Sequence, residues 1–280
     1  MDIQVAVCGA GTMGSGIAQV FAQHGFSVTL FDLNEAAIAS AKIAIDKNLT
    51  YLLNKNKIST EEKDVISGRI RYSTQIADCS AYLVIEAIIE DLEAKVALMG
   101  QLASVNNEEV IFASNTSSLS ITELQKRIPF SERVVGMHFF NPPYIMPLVE
   151  IVRGELTRDE IVKEAQEICE RIQKQAVVCK DSPGFIVNRV ARPYYLQALR
   201  LAEFGTGSIE EIDKILESTG FKMGPFRLMD MIGIDINLKT SESVYEVLGS
   251  PQRLKPSPLQ REKVNAGKLG RKSGEGFYTY

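Results

Sequence analysis

Basic charge and long apolar segments are scarce in this sequence, and each scarcity argues against a class of function. The 31 lysines and arginines are outnumbered by 35 acidic residues, and a net charge of −4 gives no electrostatic footprint for a nucleic acid or a membrane surface. No apolar run reaches transmembrane length, and residues 1–20 carry no basic segment of a secretion signal. The first predicted strand begins near residue 3 and leaves no room for a presequence, so we expect a cytoplasmic protein that binds neither nucleic acid nor membrane.

Cysteine and histidine are also rare, and they do not form a metal-binding pattern. The cysteines are Cys8, Cys79, Cys169 and Cys179. They lack metal-ligand spacing, and without a secretion signal we expect them to be reduced. No set of zinc ligands exists, so the sequence predicts acid–base chemistry without a metal. The remaining composition, 45% hydrophobic and 24% charged over 280 residues, is that of a globular chain long enough for two domains.

The N-terminal stretch carries the most informative pattern in the chain. A short apolar strand leads into the glycine-rich segment 9–14, and a helix and a second strand follow before Asp32. Gly9 permits a tight turn, Gly11 lets the backbone approach a pyrophosphate, and Gly14 lets the helix pack closely on the strand. The helix beginning near Thr12 directs its free N–H groups at the phosphates. Asp32 stands where an acid holds both ribose hydroxyls and repels a 2′-phosphate, so the pattern predicts NAD rather than NADP. FAD uses a similar fingerprint, but the rest of the chain argues against it.

Strand and helix patterns alternate beyond this motif, which predicts a Rossmann-like, doubly wound α/β sheet. The pattern changes at the segment 181–184, after which the periodic segments are helical. We therefore expect a nucleotide-binding domain at 1–183 and an all-helical domain at 184–280. The second domain is small for a core of its own, so its apolar helices suggest a dimer interface, although an intramolecular contact satisfies the same pattern.

A lysine-rich, helical insertion at about residues 46–68 is longer than a Rossmann crossover requires. Two interpretations are open from the residues alone. The segment is either a solvated helical pair or an arm that contacts the anionic tail of a substrate, and its composition favours the first.

Polar residues cluster where the predicted strands end. They are Asp32, Glu90, the segment 115–118 and the segment 138–141. Ligands of doubly wound sheets bind beyond the carboxyl ends of the strands, so we expect these residues to line one site.

His138 is the candidate general base. It lies at the end of a buried-type strand on the nucleotide side of the sheet, and imidazole accepts a hydroxyl proton near neutral pH. Glu150 lies within an apolar strand, where a carboxylate needs a partner, and pairing with His138 would stabilise an imidazolium. The alternative for Glu150 is a solvent-facing edge strand. The other histidine, His24, ends the first helix beside Gly25 and needs no further role.

Three neutral polar residues complete the candidate site. Asn115 and Ser117 follow a buried strand, and Asn188 lies just after the predicted domain boundary. Amides and hydroxyls of this kind hold a substrate oxygen or a nicotinamide carboxamide without adding a competing charge, although both residue types are common in turns.

Taken together, these segments resemble the L-3-hydroxyacyl-CoA dehydrogenase family, and within it the short bacterial 3-hydroxybutyryl-CoA dehydrogenases. The resemblance covers essentially the whole chain. Its motifs are GAGTMGSGIA from residue 9, VIEAIIEDLEAK (84–95), FASNTSSL (112–119), HFFNPP (138–143), DSPGFIVNR (181–189), MGPF (223–226) and GRKSGEGFY (270–278).

The resemblance implies NAD-linked interconversion of an L-3-hydroxyacyl-CoA and its 3-ketoacyl-CoA by a homodimer joined through the helical domain. It assigns the base and its acid to His138 and Glu150, and substrate oxygen contacts to Ser117 and Asn188. The cofactor contacts that it implies are Gly9, Gly11, Thr12, Met13, Gly14, Asp32, Glu90, Lys95, Asn115, Ser117, Asn141 and Lys272. The insertion then corresponds to a CoA-binding hairpin, with Asn48, Lys55 and Ser117 as contacts.

The chain departs from the family pattern in two places: Arg227 stands where an acid is usual, and the segment 237–260 matches poorly.

The preferred acyl-chain length and the direction of the reaction stay open. Two other readings remain: a related dehydrogenase of a free hydroxy acid or sugar acid, of the L-gulonate type, and a non-catalytic NAD-binding regulator. The full set of candidate catalytic residues argues against the regulator.

Overall fold

A computed structural model describes residues 3–280 and contains an eight-stranded sheet. Its strands are β1 (Gln4–Cys8), β2 (Ser27–Phe31), β3 (Ile70–Ser73), β4 (Leu83–Glu86), β5 (Ile111–Ser114), β6 (Val134–Phe139), β7 (Leu148–Arg153) and β8 (Gln175–Lys180). Their order in the sheet is β3-β2-β1-β4-β5-β6-β7-β8. Every pairing from β3 to β6 is parallel, whereas β7 runs antiparallel to β6 and parallel to β8.

Helices connect the strands and make up the C-terminal part of the chain. They are α1 (Thr12–Gln23), α2 (Glu35–Asn54), α3 (Thr60–Gly68), α4 (Leu92–Ala103), α5 (Ile121–Gln125), α6 (Asp159–Arg171), α7 (Val187–Glu203), α8 (Ile209–Ser218), α9 (Pro225–Ile232), α10 (Ile234–Val247) and α11 (Pro258–Asn265). The chain divides into two compact units, one ending at Ser182 and the other running from Pro183 to Tyr280.

The insertion is a helical hairpin formed by the C-terminal half of α2 and by α3. The Asn34 side chain caps α2, and Ser59 with Glu62 forms a capping box at the start of α3. The Lys63 ammonium ties the two helices together through the Thr50 hydroxyl (2.7 Å) and the Asp46 carboxylate (2.8 Å). The predicted helical insertion is therefore a pair of capped helices that are tied together by side-chain contacts.

The first helix packs closely on the sheet because small residues line its contact face. A Cβ at Gly14 would lie 1.7 Å from the Gly9 carbonyl oxygen, and one at Gly16 would lie 2.9 Å from Pro143 Cδ. The Phe21 ring lies edge-on to Phe26 at 5.2 Å between centroids. These contacts bring the start of α1 against the turn after β1.

Two features of the observed elements differ from the sequence-based expectation. The apolar run from residue 82 to 88 predicts a longer β4, but the strand ends at Glu86 because its carboxylate accepts the backbone N–H of Ile88 and turns the chain (2.8 Å). The sequence pattern does not predict helices α9 and α11, since each has only eight residues and is too short to establish a helical period.

Residues 3–280 include no helix that is both long and apolar enough to cross a membrane. In the same described part of the chain, no three His, Cys, Asp or Glu side chains are grouped as metal ligands. The four cysteines are free thiols. A hydrogen bond with Cys79, together with burial, raises the pKa of the Cys8 thiol well above its ordinary value.

Replacing Gly14 with alanine should destabilise the fold, because the added methyl group collides with backbone that cannot move without breaking the turn. We expect Gly14→Ala to lower the free energy of unfolding by at least about 2 kcal/mol in urea denaturation. Gly100→Ala in α4 is the matched control, since no atom lies within 4 Å of the added methyl group. The control should be neutral or stabilising by up to about 1 kcal/mol. Equal stability of the two variants would contradict the close packing of α1.

Candidate active site

His138 and Glu150 face each other directly across the antiparallel strands β6 and β7. The His138 Nδ1 atom lies 2.7 Å from Glu150 Oε2, and the two residues are only 6% and 1% exposed. Since β8 covers the other side of β7, Glu150 does not lie on a solvent-facing edge strand. A carboxylate accepts hydrogen bonds only, so Nδ1 carries the proton and Nε2 is the nitrogen able to accept another.

The neighbours of His138 hold this end of β6 in place. The Phe140 ring packs against the imidazole at 4.5 Å between centroids. The Asn115 side chain accepts the backbone N–H of Phe139 at 2.9 Å, which ties the loop after β5 to β6. Asn115 thus lies next to the candidate base, as expected for strands whose carboxyl ends meet at one edge. Asn141, two residues beyond the strand, is exposed.

The loop that follows β5 is organised around the Glu90 carboxylate. Its Oε1 atom accepts from the Thr116 hydroxyl (2.7 Å), from the backbone N–H groups of Ser117 (2.9 Å) and Ser118 (3.1 Å), and from both serine hydroxyls. Burial by itself raises the pKa of Glu90, but the Lys95 ammonium and these hydrogen bonds outweigh it and lower the pKa below its ordinary range. The ionised form of Glu90 therefore fixes the position of Ser117.

Glu86 is a residue of this site that the sequence analysis missed. Its buried carboxylate accepts from Lys95 Nζ at 2.5 Å and from the Ser114 hydroxyl at 2.6 Å. The Lys95 ammonium also lies 3.3 Å from Glu90 Oε2, and Lys95 is only 1% exposed. The signal was present in the sequence, since an acid at the end of a buried strand requires a cationic partner.

The glycine turn and Asp32 form the nucleotide end of the site. Asp32 Oδ2 accepts the backbone N–H of Ala10 at 2.8 Å, and Oδ1 accepts that of Asn34 at 2.9 Å. Gly9 adopts a φ of +111°, and a Cβ there would lie 2.5 Å from the Ala87 carbonyl oxygen, so only glycine fits this close approach.

A dinucleotide fits these groups. Helix α1 begins at Thr12 without a side-chain cap, so its first N–H groups, including that of Met13, are available to phosphate oxygens. No atom lies within 4 Å of the Cβ position at Gly11, which leaves the turn open to a ligand. Beside it is a cavity of about 260 Å³, and its lining includes Gly9, Asp32, Ile88, Ala94 and Leu98. A larger cavity of about 670 Å³ lies between α7 and α8 but contains none of the predicted site residues.

The predicted residues of the C-terminal unit have local partners there. Asn188 lies at the start of α7, and its carbonyl accepts from Arg192 Nε at 3.1 Å. Lys272 forms an ion pair with Asp235 at 2.6 Å. Arg227, the departure from the family pattern, lies between Asp213 (3.9 Å) and Glu217 (3.8 Å) and over the Tyr278 ring.

The candidate CoA contacts on the hairpin differ in exposure. Asn48 is partly buried and donates to the Gln19 side chain of α1 at 3.1 Å. Lys55 is exposed, with its ammonium 5.8 Å from the centre of the Tyr51 ring. Lys55 is thus free to reach a ligand phosphate, whereas Asn48 would first exchange its partner.

Comparison with protein families matches nearly the whole chain in two parts. Residues 4–182 match the NAD binding domain of 3-hydroxyacyl-CoA dehydrogenase, and residues 184–280 match its C-terminal domain. These matches confirm the predicted fold class and NAD as the cofactor.

Individual relatives extend the likeness over the full length. The chain is 44% identical to 3-hydroxyadipyl-CoA dehydrogenase of Escherichia coli over 99% of its own residues, although it spans only 58% of that protein. It is 38% identical to 3-hydroxybutyryl-CoA dehydrogenase of Mycobacterium tuberculosis, covering 99% of this chain and 98% of the relative.

A solved structure agrees with this likeness in fold. The crystal structure of (S)-3-hydroxybutyryl-CoA dehydrogenase from Ralstonia eutropha has a TM-score of 0.94 and 38% identity, covering 100% of this chain and 99% of that one. The chain belongs to the 3-hydroxyacyl-CoA dehydrogenase family of NAD-dependent oxidoreductases.

Proposed function

We propose that the chain interconverts a short (3S)-3-hydroxyacyl-CoA, such as 3-hydroxybutyryl-CoA, and the corresponding 3-ketoacyl-CoA. The observation that carries this proposal is the buried pair of His138 and Glu150. His138 lies at the carboxyl end of β6, and the nucleotide residues follow the carboxyl ends of the other parallel strands. The relatives are named for thioesters with different acyl chains, so family membership alone does not select the substrate.

His138 acts in this proposal as the general base. Its Nε2 atom takes the proton of the substrate 3-hydroxyl, since Nδ1 is engaged with Glu150. Glu150 holds the imidazole in that tautomer and stabilises the imidazolium that forms. In the reverse direction, the same nitrogen returns the proton to the ketone oxygen. NAD, when bound, supplies the acceptor for the hydride.

Ser117 and Asn188 orient the substrate oxygen, and Asn115 orients the nicotinamide end of the site. The hydrogen bonds to Glu90 support this role for Ser117, because they preset the loop before a ligand arrives. Because these hydrogen bonds already order the loop, ligand binding costs less conformational entropy.

The glycine turn, the start of α1 and Asp32 hold the pyrophosphate and the adenosine ribose. Glu90, Asn141 and Lys272 are further proposed contacts of the cofactor. The ammonium of Lys95 is buried between the carboxylates of Glu86 and Glu90. We therefore propose that Lys95 supports the cofactor site by holding Glu90 in place rather than by contacting the cofactor directly.

Lys55 and Asn48 of the hairpin, with Ser117, are the proposed contacts of the CoA moiety. The C-terminal unit is the proposed homodimer interface. Its helices carry large apolar side chains that are exposed in the isolated chain, among them Val190 (70%) and Phe204 (79%). Such side chains are more often covered in an assembly than left in water.

The assay that tests this function follows NADH at 340 nm with acetoacetyl-CoA as the oxidant. We expect rapid NADH oxidation with the thioester, little with free acetoacetate, and little with NADPH, because Asp32 repels a 2′-phosphate. Activity with the free acid alone would move the protein to the gulonate-type alternative. A folded protein that binds NADH but reduces none of these compounds would be a regulator.

The Glu86–Lys95–Glu90 network gives a second prediction, on stability. Lys95→Met leaves the buried Glu86 and the partly buried Glu90 without a cation and should lower the free energy of unfolding by about 3–5 kcal/mol. Arg127→Met is the matched control, since Arg127 pairs with Glu93 at the surface and is worth less than about 1 kcal/mol. Urea denaturation of both variants makes the comparison, and equal losses would show that Lys95 is not a structural cation.

A further inference from the structure

The network of Glu86, Lys95 and Glu90 holds more negative than positive charge. Lys95 Nζ lies 2.5 Å from the Glu86 carboxylate and 3.3 Å from that of Glu90, so one ammonium serves two acids. Among residues 3–280, no other cation forms an ion pair with either acid. Their remaining hydrogen-bond donors are neutral hydroxyls and backbone N–H groups. The network therefore carries one negative charge that no cation balances.

Solvent reaches little of this network, so the surplus charge is weakly screened. Glu86 is fully buried, Lys95 is 1% exposed, and Glu90 is partly buried. Burial raises the pKa of Glu90, but the Lys95 ammonium and the donors of the loop at 116–118 lower it below its ordinary range. A charge in such surroundings acts at a lower effective dielectric constant than one in water, and its influence extends further.

The order of the strands puts this charge beneath the path of a bound dinucleotide. Asp32 follows β2 and the glycine turn follows β1, whereas His138 lies at the carboxyl end of β6. Strands β4 and β5 lie between β1 and β6 in the sheet. A cofactor that extends from the glycine turn to a substrate at His138 therefore crosses the ends of β4 and β5. Glu86 ends β4, and its hydrogen-bond partner Ser114 ends β5.

The loop proposed to orient the nicotinamide end rests directly on both acids. The backbone N–H of Asn115 donates to the Glu86 carbonyl at 2.8 Å. The backbone N–H of Ser117 donates to the Glu90 carboxylate at 2.9 Å. The unbalanced negative charge thus lies immediately behind the residues that would face the nicotinamide ring.

We propose that Glu86, through this unbalanced charge, shifts the preference of the site toward the oxidised cofactor, NAD+, and away from NADH. The inference rests on the proposed function, which places the nicotinamide ring at Asn115 and Ser117. The oxidised ring carries a positive charge. It becomes neutral when it accepts a hydride from C3 of the substrate, whose hydroxyl proton goes to His138. A negative charge behind the loop stabilises the charged ring and has little effect on the neutral one.

The test measures the dissociation constants of both cofactor forms in the full chain with no substrate present. NADH binding is followed by the fluorescence of the cofactor, and NAD+ binding by displacement of NADH. The ratio of the NADH constant to the NAD+ constant isolates the effect, because weaker adenosine or pyrophosphate contacts raise both constants alike.

In Glu86→Gln we expect this ratio to fall by about threefold to tenfold, since the amide removes the surplus charge. The amide keeps the shape of the side chain, and it can still accept from Lys95 and donate to the Ser114 oxygen. Glu93→Gln is the matched control. Glu93 is exposed and pairs with Arg127 at the surface, so solvent and salt screen its charge and the ratio should equal that of the wild type.

A second variant keeps the proposal testable if Glu86→Gln does not fold. Glu90→Gln removes the same unit of charge, so its ratio should also fall, although both affinities weaken as the Ser117 loop loosens. An unchanged ratio in either charge-removing variant that folds would overturn the inference, as would an equal fall in Glu93→Gln. Failure of the proposed function is a different result, namely no NADH oxidation with any thioester in a protein whose cofactor ratio still responds to Glu86→Gln.

Discussion

The antiparallel pairing of β6 with β7 is the constraint on which the rest of the candidate site depends. All the preceding strand pairs are parallel and need a helix to return the chain, whereas this reversal needs only the segment 140–147. It sets Glu150 directly opposite His138, and β8 then excludes water from the far side of the pair. A buried carboxylate and an imidazole at 2.7 Å are costly to separate, so the register of the two strands and the proposed chemistry support each other.

Buried charge organises both units of the chain, but with different outcomes. In the N-terminal unit, the acids at residues 86 and 90 share the Lys95 cation. Glu86 also accepts from the Ser114 hydroxyl, and Glu90 accepts from donors of the loop at 116–118. The loop is therefore fixed before any ligand binds. In the C-terminal unit, no acid among residues 3–280 forms an ion pair with Arg192, and its hydrogen bonds go to neutral groups.

Much of this was predictable from the sequence, because the strands are apolar runs and His138 and Glu150 stand out within them. The glycine motif and Asp32 were equally plain. Ser257 and Pro258 form a clear start for helix α11, but the helix is too short for the 3.6-residue spacing of apolar residues to reveal it. Glu86 stands within an apolar run, so the pattern predicts a buried strand but not its pairing with Lys95. The cofactor contact of Lys95 stays a prediction. The reversal of β7 had no sequence signal, because strand direction depends on how the connections pack.

The central claim is that His138 moves the proton while the nucleotide residues bind independently of it. Stopped-flow measurement of a single turnover with acetoacetyl-CoA, together with NADH binding in the same samples, tests this claim most directly. In His138→Gln we expect turnover to fall by at least about a hundredfold with NADH affinity nearly intact. His24→Gln is the matched control, since His24 only ends α1 and contacts the Val20 carbonyl. Turnover in His138→Gln close to that of the wild type would remove His138 from the reaction and contradict the account.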